Sequence, residues 1–194
     1  MVVTADENLN LRTWDATSYQ FIKTLRVGDV QAVKWSPNSS KLAIVNTNIG
    51  VIVLDATLNI STLDLVNYSV GPNSSIAGNA GSVAWRNDNN TIAIGYFDGK
   101  IYLWNVTTNQ QVSVLQGHTG WVGSLSWSPD GTRLASASND GTVRIWNVAN
   151  GTVLATFQKG NGLTLSTAWS PDGTKLAYGG NDGTLQIVSV ADVL

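Results

Sequence analysis

His118 is the single histidine of this 194-residue chain, and Ser136 and Asp140 follow it closely. A serine, an imidazole and a carboxylate are the parts of a hydrolytic triad, in which the imidazole takes the serine proton and the carboxylate fixes its tautomer. That chemistry needs the serine on an exposed, sharply turned elbow. Ser136 instead lies inside RLASAS, Arg133 to Ser138, which reads as a strand with small or apolar groups on both faces. A hydroxyl held between packed sheets meets no substrate, so no residue is assigned a catalytic role. The repeated Asp-Gly pairs raise calcium as a second possibility. A calcium site needs six or more converging oxygens, whereas each Asp here sits in a tight hairpin turn, so no metal or cofactor is expected.

The elements that position these residues come from a repeat. SPDGTRLASASNDGTVRIWNVANGT, from Ser128, returns as SPDGTKLAYGGNDGTLQIVSVAD from Ser170, a step of 42 residues. The same step separates Trp85 from Trp127, Trp127 from Trp169, and Asp98 from Asp140 and Asp182. A period of this length means one small unit stacked on copies of itself, each too small to bury its own apolar faces. The clearest unit runs from Gly117 to Phe157. Trp121 to Trp127 reads as a first strand, followed by the turn Ser128-Pro129-Asp130-Gly131. Arg133 to Ser138 and Thr142 to Asn147 are the next two strands, with Asn139-Asp140-Gly141 between them, and Thr152 to Phe157 is the fourth. Four short antiparallel strands, apolar on both faces, need a similar sheet on each side.

Gly117-His118, Ser136, Asp140 and Trp146-Asn147 resemble the signature of the WD-repeat β-propellers, with Asn147 where the family has the Asp of its Trp-Asp pair. The resemblance implies an all-β propeller of four-stranded antiparallel blades, and a structural tetrad of His118, Ser136, Asp140 and Trp146. It covers essentially the whole chain, but the other units depart from it. The unit of Trp85 keeps Asp98 and Trp104, with Ile94 at the Ser position. The last has Tyr178, Val188 and Gly160 for Ser, Trp and His. The second has Leu54-Asp55 and Asn48, and the first Trp14-Asp15, Thr4 and Asn8. Degenerate units of this kind are expected to be held by packing and turns more than by buried polar networks.

Dividing the length by the period gives about 4.6 repeats. The expected division is a partial blade at 1–25, blades at 29–66, 80–115 and 121–157, and a partial blade at 163–194. A ring so built is incomplete. The readings are a fragment of a longer propeller protein, a ring completed by a second copy, or a small four-bladed ring closed by Gln20 to Leu25. An open terminal blade would leave Leu176, Ala177 and Leu185 without a covering sheet and a strand edge unpaired, which favours self-association.

In the family, the loops joining fourth to first and second to third strands form a rim where partners bind. Trp121 and Phe97 map there and are large aromatics of the hot-spot kind. Asp29, Asn79 and Leu163 are the equivalents of Trp121, and Glu7, Thr47, Asn139 and Asn181 those of Phe97. Variety on a repeated frame is what a recognition surface needs. An insertion of about Val66 to Asn79, containing Tyr68, adds a long loop to the same rim. Packing of Trp121 on a neighbouring blade is the competing account of that residue.

Charged residues make up only 12 % of the chain, and 11 basic against 13 acidic side chains leave a net charge of −2. With no Lys/Arg cluster, nucleic acid is not expected as a partner. Cysteine is absent, which removes disulfides and thiolate metal sites. No basic leader or long apolar run is present, so no membrane span is expected and the compartment is read as cytoplasmic. The function these features support is a non-catalytic scaffold binding other proteins through its loop rim. The alternative is a propeller module that positions another domain of a larger enzyme or signalling protein.

Overall fold

A computed structural model describes residues 1–5, 10–46, 50–55, 69–70, 80–158 and 164–191. These residues are all strand and turn, in five antiparallel sheets that follow one another along the chain. The first sheet holds β1 (Val2–Ala5), β2 (Asn10–Trp14) and β3 (Phe21–Arg26). The second holds β4 (Val30–Trp35), β5 (Lys41–Asn46), β6 (Gly50–Asp55) and β7 (Ser69–Val70). The third holds β8 (Ala80–Trp85), β9 (Thr91–Tyr96), β10 (Ile101–Asn105) and β11 (Gln110–Leu115). The fourth holds β12 (Val122–Trp127), β13 (Arg133–Ser138), β14 (Thr142–Asn147) and β15 (Val153–Gln158), and the fifth β16 (Thr164–Trp169), β17 (Lys175–Gly180) and β18 (Leu185–Ser189). Each sheet is a meander whose strands pair in sequence order.

β7 lies within the run read as an inserted loop, pairing Val51 with Val70 and Ile52 with Ser69. The second sheet therefore reaches past residue 66, where the sequence placed its end. The alternating Val-Asn-Tyr-Ser-Val stretch carries β-propensity that its Gly/Asn/Ser-rich surroundings mask.

The Ser-Pro-Asp-Gly-Thr turns work through side chains. Asp130 Oδ1 accepts from the Ser128 hydroxyl at 2.6 Å and from the Thr132 N–H at 2.9 Å. Ser128 Oγ in turn accepts the Arg133 N–H at 3.0 Å. The same pattern closes Ser170–Asp172–Lys175, and Ser36–Asn38–Lys41 with Asn for Asp. The turn needs a left-handed residue, which is Gly131 at φ 67° and Gly173 at φ 69°. In the second and third sheets Ser39 and Asn89 hold that conformation, at φ 59° and 58°.

Four hydrophobic clusters account for the stacking, one between each pair of successive sheets. The last three joints follow one rule, whereas the first sets Leu11 and Leu25 against Leu42, Ile44, Ile52 and Leu54, residues of like size. The covered face of the earlier sheet carries small or branched residues, such as Ala93, Ile101 and Leu103, or Ala135, Ala137, Val143 and Ile145. The covering face of the later sheet carries bulkier ones, such as Leu125, Trp127, Leu134 and Trp146 of the fourth sheet, or Leu176 and Tyr178 of the fifth. Leu176 is thus fully buried, contrary to the expectation from sequence, because β17 turns it towards the fourth sheet. Leu185 and Ile187 point the other way and are 70 % and 65 % exposed.

A second device joins the sheets. Trp85, Trp127 and Trp169, each at the end of its sheet's first strand, donate their indole N–H groups to backbone carbonyls of the preceding sheet. The acceptors are Lys34, Ala84 and Ser126, at 2.9, 3.1 and 3.1 Å. Arg86 lies over Trp127 and Arg133 over Trp169, with guanidinium carbons 5.6 and 4.8 Å from the rings. Among the described residues no helix is long and apolar enough to cross a membrane.

Candidate functional site

The turns joining β9 to β10, β13 to β14 and β17 to β18 lie at one end of the sheets. The connection from β11 to β12 returns to the same end, because the strands are antiparallel. This rim carries His118, Trp121, Phe97, Asn139, Asp140 and Asn181, while Tyr68 and Asn79 lie outside the described residues.

The structure brings His118, Ser136, Asp140 and Trp146 together. His118 Nδ1 is 2.8 Å from Asp140 Oδ2, His118 Nε2 is 2.7 Å from Ser136 Oγ, and Trp146 Nε1 donates to Ser136 Oγ at 2.7 Å. These contacts fix the protons. Ser136 Oγ accepts from the indole, so its own hydrogen is free to go to Nε2, and Nδ1–H donates to the carboxylate. The neutral imidazole fits this chain, whereas an imidazolium would place a second donor on Ser136. Burial pushes the His118 pKa down, against the opposing pull of Asp140. Burial works to raise the Asp140 pKa, but the Thr142 hydroxyl, His118 and the Thr119 N–H outweigh it and hold the carboxyl at about 2.

The order Asp–His–Ser matches a hydrolytic relay, yet Ser136 has no exposed surface. Its lone pair facing the core is taken by Trp146. What the arrangement can do is tie the β11–β12 connection, through His118, to β13 and to the β13–β14 turn. Gly99, at φ 85°, makes room for that connection: a Cβ there would collide with the His118 carbonyl oxygen. The other sheets fill the same space differently. Ile94 and Ile44 stand at the Ser136 position as fully buried apolar groups. Tyr178 stands there in the last sheet and donates to Gln186 at 2.6 Å, while in the first sheet Trp14 donates to Thr4 at 3.2 Å. Trp104 turns its N–H to Asn109 at 3.1 Å.

Beside this group, Trp121 and Phe97 stack face to face, centroids 4.9 Å apart and planes within 5°. Phe97 is 51 % exposed and Trp121 half-buried. The indole of Trp121 lies flat against Gly81 of the preceding sheet, where a Cβ would collide with its Nε1. Trp121 thus packs on its neighbouring sheet while remaining partly exposed at the rim. Its N–H, and the Oδ1 of adjacent Asn139, are buried without a hydrogen-bond partner. Asp98 and Lys100 form an exposed pair at 2.8 Å next to Phe97. Asn181 and Asp29 are exposed and stand apart from the stack, on the turn after β17 and on the approach to β4. Among the described residues no group of three or more His, Asp or Glu side chains gathers as for a metal ion.

In the sequence, Trp85, Trp127 and Trp169 do no more than mark the period. Their equal spacing was the available signal, but main-chain acceptors on another repeat leave no trace in side-chain pattern.

The WD domain, G-beta repeat family matches residues 71–105, 109–147 and 151–189, more than half of the chain. The chain belongs to the WD-repeat family. WD repeats generally mediate protein–protein interaction and are typically non-catalytic. Each of the last two matched stretches begins with the fourth strand of one sheet and ends with the third strand of the next. The family's repeat therefore straddles two sheets and links them covalently. No curated protein matches the chain.

Proposed function

We propose that this WD-repeat chain is a non-catalytic scaffold that binds protein partners through the rim around Phe97 and Trp121. The observation that carries the reading is the stacked pair itself. A large aromatic half exposed on a rigid frame loses little conformational entropy on binding, and its neighbours already exclude water from one side. Asn139, partly exposed beside Trp121, lies next to the stack, and the Asp98–Lys100 pair supplies charge of both signs at the margin. Asn181 and Asp29, exposed at equivalent positions of other repeats, extend the recognition surface beyond the stacked pair.

Selection of a displayed peptide library on the chain tests this. The selected peptides should lose at least about tenfold in affinity, roughly 1.4 kcal/mol, for Phe97→Ala, with an unchanged melting temperature. Peptides that bind Phe97→Ala and Asn139→Ala as well as the parent chain would place recognition elsewhere and end this assignment.

A further inference from the structure

Trp85, Trp127 and Trp169 donate their indole N–H groups to carbonyls of the preceding sheet, and Trp14, Trp104 and Trp146 donate theirs to side chains. Trp121 breaks this pattern. Its N–H is buried without an acceptor, and Asn139 Oδ1 is buried without a donor. The two residues are joined through the main chain, the Asn139 N–H donating to the Trp121 carbonyl at 2.9 Å. Buried polar groups are almost always paired, and each one left unmet carries a desolvation cost. A spare donor and a spare acceptor at one point of the rim are the complement of a ligand that carries both.

Little holds the indole in place. It rests on Gly81 and against Gly123, neither of which has a side chain to block its movement. Phe97 covers it from the β9–β10 turn and is itself 51 % exposed. Both unmet atoms are covered while the stack is closed, so a ligand reaches them by displacing this half-exposed ring.

We propose that the rim takes an extended peptide segment of its partner. One main-chain carbonyl of the segment accepts the Trp121 N–H, and a nearby main-chain N–H donates to Asn139 Oδ1. Phe97 moves from the indole onto a side chain of the segment. The proposal rests on the reading of this rim as a protein-binding site. A helix spends its N–H and carbonyl groups internally, whereas an extended chain offers both within one residue. A simple anion does not fit, because it brings no donor for Asn139, and Lys100, on the same turn as Phe97, is engaged with Asp98 at 2.8 Å.

The probes are the peptides selected on the parent chain, synthesised with each amide in turn replaced by an ester. The ester removes one N–H and weakens the carbonyl beside it as an acceptor. Replacement at one or two neighbouring positions should cost at least about tenfold in affinity, the worth of a buried hydrogen bond. Trp121→Phe keeps a ring against Phe97 and removes the donor, so on this variant the weakened carbonyl should cost nothing further. Asn139→Ala should likewise cancel the loss at the N–H. In proton–nitrogen NMR of the labelled chain, the indole resonance missing from Trp121→Phe should move downfield as peptide is added, the signature of a hydrogen bond gained. Peptides that tolerate an ester at every position, or an indole resonance that stays in place at saturation, overturn the proposal. If Phe97→Ala still weakens binding in that case, the rim remains the binding site and only its ligand class falls. Peptides indifferent to Phe97→Ala end the rim reading, and this proposal with it.

Discussion

The group around His118 gives the fold a dependence on acid whose direction follows from two pKa shifts. The Asp140 carboxyl is held at about 2 against an unfolded value near 3.8. Its contribution is complete above 3.8 and is lost as pH falls towards 2. His118 is shifted down from 6.5 by burial, so the unfolded chain takes up its proton at a higher pH than the folded one. That contribution is complete above 6.5 and is lost as pH falls below it. Thermal melts should show a stability decline beginning below pH 6.5, which flattens in His118→Gln, and a second decline below 3.8. A parent chain whose melting temperature rises on acidification from pH 7 to 5 would contradict the neutral, buried imidazole. His118→Ala leaves Ser136 and Asp140 with unmet hydrogen bonds and should cost about 1–3 kcal/mol by denaturant titration. The reverse case is Ser39, exposed and left-handed where two other turns have glycine. Ser39→Gly should stabilise the chain, by up to about 1 kcal/mol.

Between sheets, the indole clasps and the tight glycines are the points of greatest leverage. Trp127→Phe keeps an aromatic ring in the third joint but removes the donor to Ala84, leaving a buried carbonyl without its partner. A loss of about 1–3 kcal/mol by chemical denaturation is expected. Gly99→Ala should cost more, since it combines a left-handed backbone with a collision against the His118 carbonyl, and a fully stable variant would mean that the β11–β12 connection is free to move. These elements also show where sequence reading succeeds. Strand positions and turns were legible because Asp-Gly and Asn-Gly fix hairpins locally, and the tetrad because its spacing matches a known family. Ser69–Val70 was hidden by a glycine- and serine-rich setting, and the face of Leu176 was misread. Alternation tells that two faces differ, but which face meets the earlier sheet depends on the direction in which the stack proceeds.

Across the whole molecule, stability is transmitted from neighbour to neighbour, because each sheet buries its apolar faces only against the sheets beside it. The repeat period made that stacking legible from sequence. The stacking of Phe97 on Trp121 was not, because it depends on Gly81 of a different repeat leaving room for the Trp121 indole. Neighbour coupling also separates the consequences of equal lesions by position. Leu103 lies fully buried in the joint between the third and fourth sheets, and Leu176 fully buried in the joint between the fourth and fifth. Truncating either to alanine removes the same atoms and should cost about 2–5 kcal/mol at its own joint. Leu176→Ala, however, loosens the fifth sheet, whose clustered apolar residues meet those of the fourth. Amide hydrogen exchange should then quicken in β16 to β18 while β8 to β11 stay protected. Leu103→Ala weakens the middle of the stack, so protection should fall on both sides, from β8 through β15. Equal exchange profiles for the two variants would show that the five sheets unfold as a single cooperative block, and that nearest-neighbour coupling does not describe this chain.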